Sequence, residues 1–388
     1  MADIDPFPLI ELTGNAWERG RQYGEQARER IHRSVQLYGG QLGAMSLDAG
    51  QVRTLAQGFI PTIEAFDPLY VEEMRGIAAG AGLELAEIAL VNARTEILRL
   101  GKRKAELEAV QKDPDGCTGA ILLPEVTAHG RLLHGQNWDW RHECAETGVV
   151  LHIRRDDGPD ILTFTEAGGL ARSGLNSAGI AVTANYLSSD RDYTQAGVPL
   201  ALIRRKLLEQ EHMALALRTV YCTPKSASNN LMVSHAGGFG LNVECAPDES
   251  FLVYPTDGLV VHANHFQSPV ALAKLRDLGI TTTPDSLYRD WRVRQLLTAG
   301  RGRLTIDDLR SALFDDYASP WSVCRPPRMN ADSNLSATVA MILMDPSQGS
   351  MEIAPLPALS RRFDRYTLAL DRSALAAAKS ERSGAGFA

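Results

Sequence analysis

The chain has 388 residues, with 40 basic against 47 acidic side chains and a formal net charge of −7. Its 44% hydrophobic and 22% charged residues are those of a globular chain of one large layered domain or two to three ordinary ones, which excludes a disordered polymer and leaves no basic footprint for nucleic acid. Five scattered cysteines make no disulfide framework, and no leader or stretch of ~18 apolar residues is visible, so a reduced cytoplasmic protein with no membrane partner is expected.

In chain order, Thr13-Gly14-Asn15 reads as a helix cap. Apolar or small residues then recur at Trp17, Gly20, Gly24, Ala27, Ile31, Val35 and Tyr38, the spacing of a helix with one packing face. Its opposite face mixes charges of both signs, which favours packing over a membrane surface, and Gly20 with Gly24 would admit a second backbone closely. Helical pattern returns at 61–79 and 85–98, and the charged run 101–113 reads as an exposed linker. From Pro114 the pattern changes to short β runs at 118–123, 132–136, 149–155, 161–165, 180–184, 231–234, 251–254, 259–263 and 339–344. Helical blocks interrupt them at 199–209, 285–299 and 306–314. Strands in hairpin-like pairs before helical blocks point to an α+β sandwich of sheets with helices outside. Residues 372–388, rich in Ala, Ser and charge, read as a frayed tail.

Several chemistries are not supported. No G-x-x-x-x-G-K-[ST] loop or G-x-G-x-x-G turn is present. The segment Leu175-Asn176-Ser177-Ala178-Gly179 lacks the first glycine of a nucleophile elbow. His262 and His265, at a strand end, are expected to point to opposite faces, without a cluster of Cys or acidic ligands beside them. Neither a metal nor a cofactor is expected.

The informative segment is Asp115-Gly116-Cys117-Thr118, at the junction of the helical and β regions. A free cysteine is ordinarily a small buried hydrophobe. If the Gly116–Cys117 bond were cut, however, Cys117 would carry a thiol and a free α-amine on one residue. That amine, with a reference pKa of about 7.7–8.0, can take the proton of the thiol. Gly116 removes the side chain that would hinder attack of the thiol on the preceding carbonyl.

Reading on from Cys117, the chain resembles the acyl-coenzyme A:isopenicillin N acyltransferase family of cysteine-type N-terminal-nucleophile (Ntn) hydrolases. The resemblance rests on Asp115-Gly116-Cys117-Thr118, Gly135-Gln136-Asn137-Trp138-Asp139-Trp140, Thr165-Glu166-Ala167-Gly168 and Gly174-Leu175-Asn176-Ser177-Ala178-Gly179-Ile180-Ala181. It continues with His262-Ala263-Asn264-His265 and Trp321-Ser322-Val323-Cys324-Arg325, and Gly14-Asn-Ala-Trp-Glu-Arg-Gly20 fits the family's first helix. It implies a four-layer αββα fold made as one chain and cut at Gly116–Cys117. Residues 1–116 would be the α chain and 117–371 the β chain, the two remaining partners of one another.

The same resemblance implies roles. Cys117 would be the nucleophile, Asp139 would orient the new α-ammonium group, and the Asn264 amide would donate to an oxyanion. Arg325 would favour the thiolate and anchor Asp139 or substrate. Asn185 is a weaker oxyanion candidate, and Trp138, Trp140, Tyr186 and Trp321 are candidate liners of a pocket for a small-molecule amide. Ala263 stands where threonine is usual, and Trp140 and Trp321 where penicillin-making members carry phenylalanine. Penicillin synthesis is thus not implied. With no basic cluster evident for coenzyme A, amide hydrolysis through a thioester is favoured over acyl transfer. An unprocessed, catalytically silent binding protein is the reading from a different class.

Overall fold

The structure, a computed structural model, describes residues 4–105, 116–329 and 335–371. The expected tail, residues 106–113 of the expected linker, and Asp115 lie outside the described residues. The chain opens with strand β1 (Leu9–Leu12) and helices α1 (Ala16–Gln26), α2 (Arg28–Ala44), α3 (Ala49–Phe66), α4 (Pro68–Ala81), α5 (Leu85–Asn92) and α6 (Arg94–Ala105). Asn15 caps α1 in a reciprocal box with Glu18, and Asp48 does the same for α3 with Gln51. The single helix expected over 61–79 is two. Pro61 lies inside α3, and the break falls at Asp67, whose side chain caps α4 with Pro68 in its first turn. The expected linker begins as helix, since α6 runs on to Ala105.

The small face of α1 packs on α4. A Cβ on Gly20 would sit 2.0 Å from the Glu73 carbonyl oxygen, and one on Gly24 would sit 2.3 Å from that of Ile77. Only glycine allows this approach.

Two sheets follow. In the eight-stranded sheet, β1 pairs in parallel with β4 (Gly148–Ile153). The order continues through β5 (Ile161–Glu166), β6 (Ser173–Asn176), β7 (Ile180–Tyr186), β8 (Asn229–His235), β9 (Phe239–Cys245) and β10 (Ser250–Val253). The second sheet runs β11 (Leu259–His262), β2 (Gly116–Leu122), β3 (Leu133–Arg141), β13 (Leu335–Asp345), β14 (Ser350–Pro355) and β15 (Asp364–Thr367), with β12 (Arg328–Met329) beside β13. The N-terminal helices, α7 (Leu200–Leu208) and α8 (Met213–Cys222) cover the first sheet. After α9 (Pro269–Lys274) and α10 (Gly279–Thr282), helices α11 (Asp285–Thr298) and α12 (Ile306–Leu313) cover the second. The result is the α+β four-layer αββα sandwich.

Between the sheets, Trp138, Val150, Phe164, Leu175, Ile342 and Met344 form a shared core. Polar ties cross it. His134 on β3 meets Ser234 and Thr183 of the opposite sheet, each at 2.9 Å, and burial lowers its pKa to about 3, so it is a neutral bridge. Side chains alternate along β2. Gly116, Thr118, Ala120 and Leu122 face the α11–α12 layer, whereas Cys117, Gly119 and Ile121 face the other sheet.

Candidate active site

Strand register assembles the site. Gly116 lies opposite Asp139, and Asp139 lies opposite Thr338 on the far side of β3. On the other flank His262 pairs with Gly119, so the chain leaving β11 brings Asn264 level with Cys117. A bulge after Thr338 marks the same row on β13. Four segments distant in sequence thus meet in one line across the sheet.

Hydrogen bonds converge on Cys117. Its backbone N–H donates to Asn264 Oδ1 at 2.8 Å, and Arg289 Nη2 donates to the same oxygen at 2.9 Å. Arg289 Nη1 donates to the Cys117 carbonyl at 2.7 Å and to Thr118 Oγ1 at 2.6 Å. Asn264 is held in turn by its own N–H on Ser286 Oγ (2.7 Å) and by Nδ2 donating to the Tyr186 carbonyl (2.9 Å). One amide hydrogen remains on Nδ2.

Beneath Gly116 lies a buried charge network. Arg325 Nε is 3.1 Å from Asp139 Oδ2, and its Nη2 pairs with Asp285, which also accepts from Arg289 Nε at 2.8 Å. Thr338 Oγ1 donates to Asp139 Oδ1 at 2.6 Å and accepts the Arg325 N–H at 2.8 Å. Burial raises the Asp139 pKa to about 6 against the opposing pull of Arg325, Arg289 and Thr338. Asp285 goes the other way: Arg289 and Arg325 together outweigh its burial and hold it below the ordinary value. Two carboxylates in one network are thereby pushed apart. Gly116 is fitted to this network, since a Cβ there would lie 2.9 Å from Asp139 Oδ2 and 3.0 Å from Arg325 Cζ.

Alternation along the strands corrects one expectation. Cys117 and Trp138 project between the sheets, while Asp139 and Arg325 lie on the helix side. Arg325 therefore holds Asp139 and Asp285 rather than facing the thiol. Arg204 of α7 lies within electrostatic reach of Cys117. Asn185 is corrected as well. Its Nδ2 hydrogens go to the His262 and Ala263 carbonyls, both at 2.9 Å, and its Oδ1 accepts from Gln136 at 2.7 Å. With no N–H left for an oxyanion, it holds the turn that carries Asn264.

The aromatic candidates separate. Trp138 is fully buried core between the sheets, under Arg172 at 3.9 Å from its ring, and is no pocket liner. Trp140 is half-buried beside Arg94, and Tyr186 is half-buried beneath Arg99. Trp321 is exposed, with its carbonyl accepting from Tyr288 Oη at 2.8 Å. The rings of His262 and His265 do not diverge; they stack with centroids 6.2 Å apart, because the chain has left β11 between them. His262 meets Glu244 at 2.8 Å, and among the described residues no group of three or more potential metal ligands occurs.

Other motif residues build the frame. Gly135 leaves room for Leu309, Leu313 and Leu343, Gln136 ties β3 to the Ala184 carbonyl at 2.7 Å, and Asn137 caps the Leu313 carbonyl at 2.7 Å. Asn176 donates to the Leu208 and Gln210 carbonyls at 2.9 and 2.8 Å, fixing the end of α7. Sequence reasoning missed Asp285, Arg289 and Arg204. The first two form an i,i+4 ion pair opening a helical block, a legible signal. Arg204, in an Arg-Arg-Lys run, reads as solvated surface.

The family model for acyl-coenzyme A:6-aminopenicillanic acid acyl-transferase matches residues 126–355, a span that holds Asp139, Asn264 and Arg325 and begins after Cys117. A protein of Emericella nidulans, the 40 kDa form of acyl-coenzyme A:6-aminopenicillanic-acid-acyltransferase, is 30% identical over 322 residues, covering 81% of this chain and 84% of its own. The chain belongs to this family. As a member of the acyl-coenzyme A:6-aminopenicillanic acid acyl-transferase family, it is an enzyme acting on amide bonds, by acyl transfer or hydrolysis. Among solved structures, it resembles a mutant conjugated bile acid hydrolase from Clostridium perfringens (13% identity, 65% of this chain, 92% of that chain, TM-score 0.45). It also resembles penicillin V acylase from Agrobacterium tumefaciens (15% identity, 65% and 86%, TM-score 0.42). Among the described residues, no helix of this family member is long and apolar enough to cross a membrane.

Proposed function

We propose that this family member is a self-processing cysteine hydrolase that cuts linear amide bonds of a small N-acyl substrate through a thioester on Cys117. The observation that carries this reading is the convergence of Asn264 Oδ1 on the Cys117 N–H with the Asp139–Arg325 pair on Gly116. These are the two sides of the peptide bond that processing would cut.

In processing, Cys117 Sγ attacks the Gly116 carbonyl carbon. The C–N bond breaks, the amide nitrogen keeps its own hydrogen and takes the thiol proton to become the α-amine, and water hydrolyses the resulting thioester to the Gly116 carboxyl group and the free thiol. Residues 1–116 become the α chain and 117–371, with any tail, the β chain. In turnover the α-amine accepts the thiol proton, Sγ attacks the substrate carbonyl, and the α-ammonium returns that proton to the leaving amine. Water then attacks the thioester, releasing the acid and the free thiol. The remaining Nδ2 hydrogen of Asn264 serves the tetrahedral oxyanion, whose single donors are typically worth about 2.7–4 kcal/mol. Arg289 fixes that amide, and Asp139, held by Arg325 and Thr338, orients the new ammonium group.

Denaturing mass spectrometry of fresh protein tests the reading. Two fragments meeting at Gly116/Cys117, with Cys117→Ala both uncut and inactive, are expected. An intact chain that hydrolyses amides would refute self-processing, and activity retained in Cys117→Ala would refute the nucleophile. An intact chain with no activity would favour the silent binding protein. The second reading, transfer of the acyl group to an amine, is favoured by the activity in the name of the Emericella nidulans relative. Product analysis with acyl-coenzyme A and acceptor amines separates them, because transfer yields amide with little free acid.

A further inference from the structure

The peptide unit joining Ala263 to Asn264 is held at both ends by side chains. Its carbonyl oxygen accepts from His262 Nδ1 and from Asn185 Nδ2, each at 2.9 Å, and its N–H donates to Ser286 Oγ at 2.7 Å. Strand β11 ends at His262, so these side chains take over where the ladder stops. A carbonyl oxygen can only accept, and His262 Nδ1 therefore carries a hydrogen. The other ring nitrogen is pinned. His262 Nε2 meets Glu244 Oε1 at 2.8 Å, with both side chains fully buried, and Glu244 is fixed in turn by the N–H groups of Gln267 at 2.6 Å and Ser268 at 3.1 Å. Glu244 thereby aims the ring at the Ala263 carbonyl.

His265 secures the opposite end of the unit. Its Nδ1 lies 2.7 Å from Ser286 Oγ, and burial, then the neighbouring His262 and Arg289, lower its pKa to about 3. The ring is neutral and free to accept. Ser286 Oγ has no other acceptor among the described residues, so its hydroxyl donates to His265 and leaves its lone pairs to the Asn264 N–H. The two imidazoles also stack, with 6.2 Å between centroids and 15° between planes, and brace one another across the turn.

We propose that His262 and His265 are positioning residues for Asn264: with Glu244 and Ser286 they clamp the peptide unit before it and so aim its remaining Nδ2 hydrogen at the oxyanion. The inference rests on Asn264 as the oxyanion donor of the proposed hydrolysis. Both rings act through Asn264, and a misplacement of about 1 Å in such a donor is enough to cost about a hundredfold in rate.

Paired amide substitutions test the clamp. An asparagine amide nitrogen falls where histidine Nδ1 lies, and a glutamine amide nitrogen where Nε2 lies. His262→Asn keeps the hydrogen on the Ala263 carbonyl and releases Glu244, whereas His262→Gln does the reverse. The first readout is the Asn264 side-chain amide in the proton–nitrogen NMR spectrum, assigned with Asn264→Asp and independent of turnover. His262→Gln should displace these signals, and His262→Asn should leave them near their wild-type positions. The second readout is hydrolysis of acetyl-, hexanoyl- and phenylacetyl-p-nitroanilide. His262→Gln should lower kcat about a hundredfold with KM within about twofold, and His262→Asn should retain most of it. Stability should run in the opposite order, because His262→Asn leaves Glu244 buried without its side-chain partner and should melt at the lower temperature. His265→Asn against His265→Leu repeats the comparison at a less buried ring. An amide oxygen can replace Nδ1 as acceptor of the Ser286 hydroxyl, so turnover should survive in the first and fall about tenfold in the second. Unmoved Asn264 signals in His262→Gln, turnover that follows melting temperature, a change confined to KM, or equal turnover in the two His265 variants would overturn the proposal. Displaced signals in His262→Gln alone, in a protein that cleaves no amide, would retain the clamp while refuting the proposed hydrolysis.

Discussion

Asn264 Oδ1 accepts the backbone N–H of Cys117 at 2.8 Å across 147 residues of chain. The contact is to the backbone nitrogen, the atom that processing would turn into an amine. Asn264→Ala removes both this acceptor and the amide donor beside it. The expected result is accumulation of uncut chain and, in whatever is processed, a fall in kcat on the order of a hundredfold to a thousandfold. Mass spectrometry with steady-state kinetics checks it; normal processing and turnover would show that the contact is only structural.

Asp139 is expected to set the pH dependence. Its pKa is raised to about 6 by burial, so the carboxylate proposed to orient an ammonium group is lost as pH falls through that value. The kcat/KM profile should show an acidic limb near pH 6, and Asp139→Asn should flatten it while lowering activity on the order of a hundredfold. Stability moves in the opposite sense. A raised folded value favours the protonated group, so that contribution is complete below the unfolded value of 3.8 and is lost as pH rises through about 6. Urea unfolding from about pH 4 to about pH 7 should lose this component in Asp139→Asn.

Gly116→Ala tests the fit at the proposed cut. The added Cβ would meet Asp139 Oδ2 at 2.9 Å and Arg325 Cζ at 3.0 Å, inside a packed and charged layer. Overpacking of this kind costs about 1–3 kcal/mol. The chain should fold with a lowered melting temperature and process much more slowly, by gel densitometry over time. Unchanged processing would mean that the network yields without consequence.

Arg289→Lys separates charge from geometry. The ion pair with Asp285 can persist, but the fork that reaches the Cys117 carbonyl, Thr118 and Asn264 is lost. One lost charge-assisted hydrogen bond is worth about 1.5–3 kcal/mol. Turnover should therefore fall about tenfold to a hundredfold with KM little changed. A change in KM alone would place Arg289 on the substrate rather than on the positioning of Asn264.

Much of the architecture is legible in local signals. The cap at Asn15, the small face of α1 and the change to β pattern after residue 114 follow from residue chemistry within a few positions, whereas the start of α3 at Asp48 does not stand out. The strands β1, β6, β9, β12, β14 and β15 are not legible, because they gain their identity from the neighbours they pair with. Within the candidate site, Cys117, Asp139, Asn264 and Arg325 are marked by motif, yet their surroundings are not. Asn185 and Asn264 are both asparagines near strand ends; the carbonyls of His262 and Ala263 consume the hydrogens of one, while the other reaches Cys117.

The sequence by itself determined that a glycine–cysteine junction separates a helical from a β-rich region, and that a cysteine able to become an N-terminus is followed by ordered motifs. Only the tertiary structure decided which face of β2 each group occupies. Strand pairing sets Asp139 and Arg325 under Gly116 and turns Cys117 into the space between the sheets. The physical reason is that side chains alternate across a pleated strand, so a group's partner depends on its register against strands far away in the chain, which no local pattern records.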